Sequence, residues 1–265
     1  MTRKIVVAGR VAWCKTYDRS AGFRRTVASV WNRLTGGLDV RPLRSPPRPD
    51  GDAARQLEQR RIRQLHDQGV LVPDVVGEGK RLLLLSDMGP TLSSCLKQAK
   101  DRSEVDALVH RGVAALVDVH RRGAYLGQAV ARNIVMTGSG VGFIDFEEDP
   151  LEVMSLTEAQ ARDWLLFSSS VARYYEGRVD ALAGMFGRAL PEVGNDVAVT
   201  VDRTAKKLGF LETLTRMFGR RARSLGVAVA SLHHSRLVWF VTLTLLVDFI
   251  TDGDSDILRA LHQLL

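Results

Sequence analysis

HRRGAYLGQAVARNIVMTGSGVGFIDFEEDP, running from His120 to Pro150, is the stretch on which a reading of this chain turns. A helix end at His120-Arg121-Arg122-Gly123 gives way to a loop and then to a short apolar strand from Asn133 to Met136. Thr137-Gly138-Ser139-Gly140 predicts a tight turn, and Val141 to Ile144 a second strand. Such a hairpin brings an amide, Asn133, and a carboxylate, Asp145, to the mouths of neighbouring strands, with Glu147, Glu148 and Asp149 close behind. Hard oxygen donors in ones and twos suit Mg²⁺, which keeps its other positions for water and phosphates.

The order H-x-x-G, loop, R-N-I, turn, I-D-F resembles the catalytic and metal-binding loops of the protein-kinase-like superfamily. It is most similar to the small bacterial and archaeal branch: lipopolysaccharide sugar kinases, RIO-type kinases and the kinase of the KEOPS complex. The resemblance implies that Asn133 and Asp145 bind the metal and that Asp145 bridges it to nucleotide phosphates. In such enzymes an Asp five residues before the Asn positions the acceptor hydroxyl, and here that position holds Gln128. Glutamine hydrogen-bonds a hydroxyl but takes no proton from it. Phosphoryl transfer leans on positioning and electrostatics, so the exchange weakens the chemistry without necessarily abolishing it. Three readings stay open: a kinase using another carboxylate, with Glu147 or Glu148 nearest in sequence; a nucleotide-binding pseudokinase with a scaffold role; and a transferase of altered chemistry.

Upstream, residues 3 to 17 alternate weakly and predict one or two strands around Gly9, with Lys15 in the second. On pattern alone Lys15 reads equally as a solvated strand residue; the resemblance makes it the lysine that grips the α- and β-phosphates. No G-x-G-x-x-G loop accompanies it. A helical piece is expected around Phe23 to Leu34. Four of the eight residues from Pro42 to Pro49 are proline, which predicts an extended connection, or an insertion over the cleft. Asp52 is placed to cap a helix that begins at Ala53 and stops at Gly69, with Leu57, Ile62 and Leu65 as its apolar stripe. The resemblance makes Glu58, on that helix, the partner of Lys15. A strand from Val70, a turn at Gly77 to Gly79 and a buried strand from Arg81 follow. Asp87-Met88-Gly89 then matches the hinge whose backbone meets an adenine edge.

Downstream of the hinge, Thr91 opens a short helix, and Ser103 is expected to cap a longer one that reaches His120. Beyond Pro150 the pattern is helical throughout, with helices from Thr157 and near 178 to 188, 195 to 225 and 229 to 249. The first carries Asp163 in the run Asp163-Trp164-Leu165-Leu166-Phe167. In kinase-like folds an Asp so placed receives backbone N–H bonds from the catalytic loop, and a carboxylate among apolar residues needs such partners.

Composition narrows the partners. Against 30 acidic residues stand 37 Lys and Arg, a formal charge of +7, which favours nucleotide phosphates, phospholipid headgroups or nucleic acid. With 6% aromatics and no recognisable nucleic-acid motif, the last is not favoured. Cys14 and Cys95 form no metal or disulfide pattern and fit a reducing compartment. The apolar run from Leu237 to Val247 is half a membrane span.

The sequence therefore leads to an α+β, two-lobed, protein-kinase-like fold. Residues 1–88 form a small lobe of antiparallel sheet with helix 53–68 and the proline-rich insertion 41–51; residues 89–265 form a helical lobe carrying the hairpin 120–150. The expected activity is ATP-dependent, Mg²⁺-requiring phosphoryl transfer to a sugar, lipid or protein hydroxyl. Gln128, Lys15, Glu58 and Asp145 are the catalytic candidates. Lys15, Asp87, Met88, Gly89, Asn133 and Asp145 would bind nucleotide, and Asn133 and Asp145 metal. The expected location is the cytoplasm, with peripheral contact at an anionic inner-membrane surface.

Overall fold

The computed structural model describes residues 2–7, 9–17 and 40–215. Strands β1 (Thr2–Val7) and β2 (Arg10–Thr16) pair antiparallel; helix α1 (Gly51–Asp67) and the hairpin β3 (Val75–Gly79) and β4 (Leu82–Ser86) complete the first part. The sheet order is β1-β2-β4-β3, with all neighbours antiparallel. Side chains alternate across a strand with period two. Trp13, Lys15 and Tyr17 therefore share one face, and Leu83 and Leu85 are buried on β4.

The larger part is helical: α2 (Leu92–Gln98), α3 (Arg102–Arg121), the small hairpin β5 (Ile134–Thr137) and β6 (Gly140–Phe143), then α4 (Leu156–Ala172), α5 (Val179–Val193) and α6 (Asn195–Thr215). The molecule is thus α+β, a small antiparallel sheet beside a larger helical part. Helix α4 is buried on nearly every side, its polar Gln160, Arg162 and Asp163 included, and each of these finds hydrogen-bond partners. Its Trp164 and Phe167 are fully enclosed. Gly112 lets α3 approach it closely, because a Cβ there would stand 2.8 Å from Phe167 Cζ. One continuous apolar core joins Leu65, Leu83 and Leu85 to Leu116, Ile134, Trp164 and Phe186. No helix among the described residues is long and apolar enough to cross a membrane.

Local details depart from the sequence reading in instructive ways. Helix α1 starts two residues earlier than expected, after Asp50, and Asp52 serves its own first turn by accepting from Arg55 and Gln56. Asp101, not Ser103, caps α3 by accepting from the Glu104 amide, and Glu104 returns a bond to the Lys100 amide. Ser155 and Glu158 form a complete capping box at α4, which starts at Leu156, one residue before the expected start. Residues 70–74 are not strand; Gly77 and Gly79 lie inside β3, and Lys80 and Arg81 make the turn. The expected helices at 23 to 34 and 229 to 249, and the end of that at 195 to 225, lie outside the described residues.

Candidate nucleotide and metal site

Lys15 projects from β2 into a nest of carboxylates. Its Nζ lies 2.8 Å from Glu58 Oε2 on α1, 2.5 Å from Asp145 Oδ1 after β6, and 2.8 Å from Glu147 Oε1. Three separate elements meet at this ammonium. Glu58 is fully buried and also accepts from the Tyr17 hydroxyl at 2.6 Å and the Phe146 amide at 3.3 Å, so its orientation is fixed on all sides. Burial alone would lower the Lys15 pKa, but Glu58, Asp145 and Glu147 outweigh it and hold the ammonium well above its ordinary value. Burial would raise Asp145, yet Lys15, Arg132 and Arg48 keep its carboxyl below the usual range.

Asp145 is the one described non-glycine residue with positive φ, at 71°. That left-handed turn ends the β6 pleat and breaks the alternation of side chains that follows. Oxygen atoms of Glu58, Asp145 and Glu147 all lie within 4.8 Å of one another, a hard-oxygen set able to hold a divalent cation. Asn133, buried on the neighbouring strand end, accepts through its backbone carbonyl from Ile144 N at 2.9 Å, which locks it beside Asp145. Its Nδ2 donates to the Gln128 carbonyl at 3.1 Å, leaving Oδ1 as the end that suits a cation.

The loop carrying Gln128 is held from below. Asp163, fully buried on α4, accepts from Leu126 N at 2.6 Å and Gly127 N at 2.7 Å, and His120 Nε2 stands 3.2 Å away. A carboxylate oxygen only accepts, so that imidazole nitrogen carries the hydrogen. Two cross-links tie α1 to the same loop. Arg61 donates to the Tyr125 carbonyl at 2.7 Å while stacking over its ring, and Arg60 pairs with Asp149, which the Tyr125 hydroxyl also contacts at 2.6 Å.

Gln128 is half-buried, and its side-chain amide helps to hold the Glu148 carboxyl below its usual range. Glu148 is no free base: it is 3% exposed and lies between Arg48 and Arg162. Although burial opposes it, those arginines hold its carboxyl below the usual range. Glu147 is more open and faces Lys15. At the expected hinge, Asp87 turns to Trp13 Nε1 at 3.1 Å and Lys4 at 3.0 Å, and Gly89 adopts φ 110°. Met88 packs so closely on β6 that a Cβ at Gly142 would lie 2.4 Å from its Cε.

The structure therefore brings Lys15, Glu58 and Asp145 into direct contact, sets Asn133 next to them through the β5–β6 hairpin, and links Gln128 to Asn133 through its carbonyl. It adds Glu147, named from sequence as a candidate base or further metal ligand, as a direct Lys15 partner. Sequence reasoning missed Tyr17, Arg48 and Arg162; the last two sit in a proline-rich run and an apolar helix, where no spacing marks them. No protein-family model matches the chain, and no curated protein matches it significantly.

Proposed function

We propose that this chain is an ATP- and Mg²⁺-dependent phosphotransferase of two-lobed, protein-kinase-like build. The observation that carries the reading is the convergence of Lys15, Glu58 and Asp145 at 2.5 to 2.8 Å, from positions 43 and 130 residues apart in the chain. A lysine buried among three carboxylates is an arrangement that stability alone does not favour, since desolvating several charges costs about as much as their attraction returns. It suits a site where phosphates replace part of the carboxylate company of Lys15 and a cation takes up the rest.

In this reading Lys15 grips the inner phosphates, Glu58 orients it, and Asn133 and Asp145 hold magnesium, with Glu147 as a further oxygen donor. The metal supplies charge neutralisation on the transferring group. The acceptor oxygen forms its bond to the terminal phosphorus as the bridging P–O bond to ADP breaks, and the hydroxyl proton leaves to solvent or to a phosphate oxygen. Gln128 orients the hydroxyl, and no carboxylate at its position takes the proton. Sugar, lipid-headgroup and protein hydroxyls all fit this chemistry, and the basic charge suits work at an anionic surface.

A second reading is a nucleotide-binding scaffold without turnover, favoured by the engagement of Gln128 with a carboxylate that two arginines already neutralise. Thermal melting with millimolar Mg-ATP separates both from an empty fold, because a ligand stabilises by RT ln(1 + [L]/Kd). A rise in melting temperature that Asp145→Asn abolishes supports nucleotide binding at this site. No rise in the wild-type protein removes both readings. Consumption of ATP by the wild type, lost in Asp145→Asn, then distinguishes the enzyme from the scaffold.

A further inference from the structure

The proline-rich run is not the passive connection its composition suggests. Val40 and Leu43 are 1% and 3% exposed, and Pro42 and Pro46 are buried. Arg162, from α4, clamps the run in place: it donates to the carbonyls of Pro42 at 3.2 Å and Arg44 at 3.1 Å, and to that of Gly127 at 2.9 Å. One buried guanidinium thus joins the strap to the loop that presents Gln128. After Asp145 only nine residues precede the Ser155 cap, so the chain beyond the candidate metal ligands is short, and the strap is pinned beside it.

At the strap's end stands Arg48. Its Nε and Nη2 both bind Glu148 Oε1. Glu148 also receives Arg162 Nη2 at 3.3 Å. Two guanidiniums thus face the one carboxylate of Glu148, and Arg48 is held there by two nitrogens on one carboxylate oxygen, three residues along the chain from Asp145. Its side chain is 28% exposed, so part of it reaches solvent. A guanidinium has five N–H donors in a rigid fork, more than one carboxylate oxygen can use, so the group suits a further anion. Arg48 also acts electrostatically on Asp145 and Glu147, the carboxylates that Lys15 contacts from the sheet.

We infer that Arg48 receives the terminal phosphate of the bound nucleotide from the helical side of the cleft, with Glu148 as the positioning residue that holds it there. The inference rests on the proposed nucleotide site and adds to it a cation delivered by the strap. Arginine suits the task because its fork matches phosphate geometry and its orientation is set before binding.

The test compares Mg-bound β,γ-imido-ATP with Mg-ADP by calorimetry on the full chain, in wild type, Arg48→Gln and Arg48→Lys. Arg48→Gln is expected to cut the preference for triphosphate over diphosphate by on the order of tenfold, the worth of one charge-assisted hydrogen bond, while ADP affinity holds within about twofold. Arg48→Lys, which keeps charge without the fork, is expected to lose about threefold. Equal weakening of both nucleotides, or an unchanged preference, overturns the inference and leaves the strap a purely structural or acceptor-facing element. Should Arg48→Gln fail to fold, Arg48→Lys decides: binding of both nucleotides as in wild type overturns it. Wild-type protein that binds neither nucleotide overturns the site reading itself and this inference with it.

Discussion

Replacing Asp163 with Ala removes the anchor of the loop that carries Gln128. Three donors lose their acceptor: Leu126 N, Gly127 N and His120 Nε2, at 2.6, 2.7 and 3.2 Å from a carboxylate with no solvent exposure. A buried donor stranded without water costs about 1–3 kcal/mol. The losses do not add fully, because the loop relaxes toward solvent, so the expected total is about 4 kcal/mol, in the range for breaking a buried charged contact. At roughly 2–4 °C per kcal/mol for a domain of this size, the melting temperature should fall by roughly 8–16 °C. Asp163→Asn keeps one accepting oxygen but points an NH₂ group at a donor, and should cost about half as much. Circular dichroism melts give the global number, and hydrogen exchange at the Leu126 and Gly127 amides tests its source. A drop under about 3 °C with both amides still protected would refute the anchoring role.

Asp145→Gly should relieve the left-handed strain at φ 71° and hold or raise the apo melting temperature, by up to about 1 kcal/mol of stability, while removing any Mg-ATP-dependent shift. A large apo destabilisation would mean that its contacts outweigh the strain. Gly142→Ala should cost about 1–3 kcal/mol by overpacking, since its Cβ meets Met88 Cε at 2.4 Å and the Leu71 carbonyl at 3.0 Å. Adding Met88→Ala should recover part of that in denaturant titrations, and strict additivity would argue against the contact. Gln128→Asp replaces an amide donor with a second carboxylate beside Glu148, so it should lower stability by about 1–3 kcal/mol, and Glu148→Gln in the same chain should restore part of it. Unchanged melting of the single variant would dismiss the contact. Asp106 is held below its usual range chiefly by its hydrogen bond from Arg178. Its contribution is present above the unfolded value of 3.8 and lost as pH falls through the lower folded value; on so exposed a pair it is at most about 0.5 kcal/mol. Wild type and Asp106→Asn should therefore differ slightly at pH 6 and converge toward pH 2.

The legible parts of this chain are those whose residues are odd in their surroundings. A lone Asp in an apolar helical run announces that it needs buried donors, and Asp163 has them. The turn at Gly138 and Ser139 and the stripe of Leu57, Ile62 and Leu65 follow from local chemistry alone. Lys15 carries no such mark; only contact with Glu58 and Asp145, which sequence spacing does not encode, distinguishes it from a solvated strand lysine. Glu147 and Glu148 are adjacent and alike on paper, yet one faces Lys15 and the other is sealed between arginines. The positive φ at Asp145 re-aims everything after it, and no hydrophobic pattern foretells that turn. The strap was the least legible element, because its anchor, Arg162, lies 118 to 120 residues away.

Charge placement explains why Gln128 sits where a carboxylate is expected. The acidic group of this neighbourhood is Glu148, deep between Arg48 and Arg162, and a neighbour that donates a hydrogen bond to it is favourable where a second anion is not. An Asp at 128 would compete with Glu148 for the same two arginines and loosen the grip that fixes the strap. The amide thus preserves a junction at which strap, loop and the segment after Asp145 are pinned together. On that argument the glutamine has a part in the architecture whatever its part in the proposed chemistry. Variants at 128 should consequently be read on stability and on nucleotide affinity together, since a change in turnover alone would not say which of the two had moved.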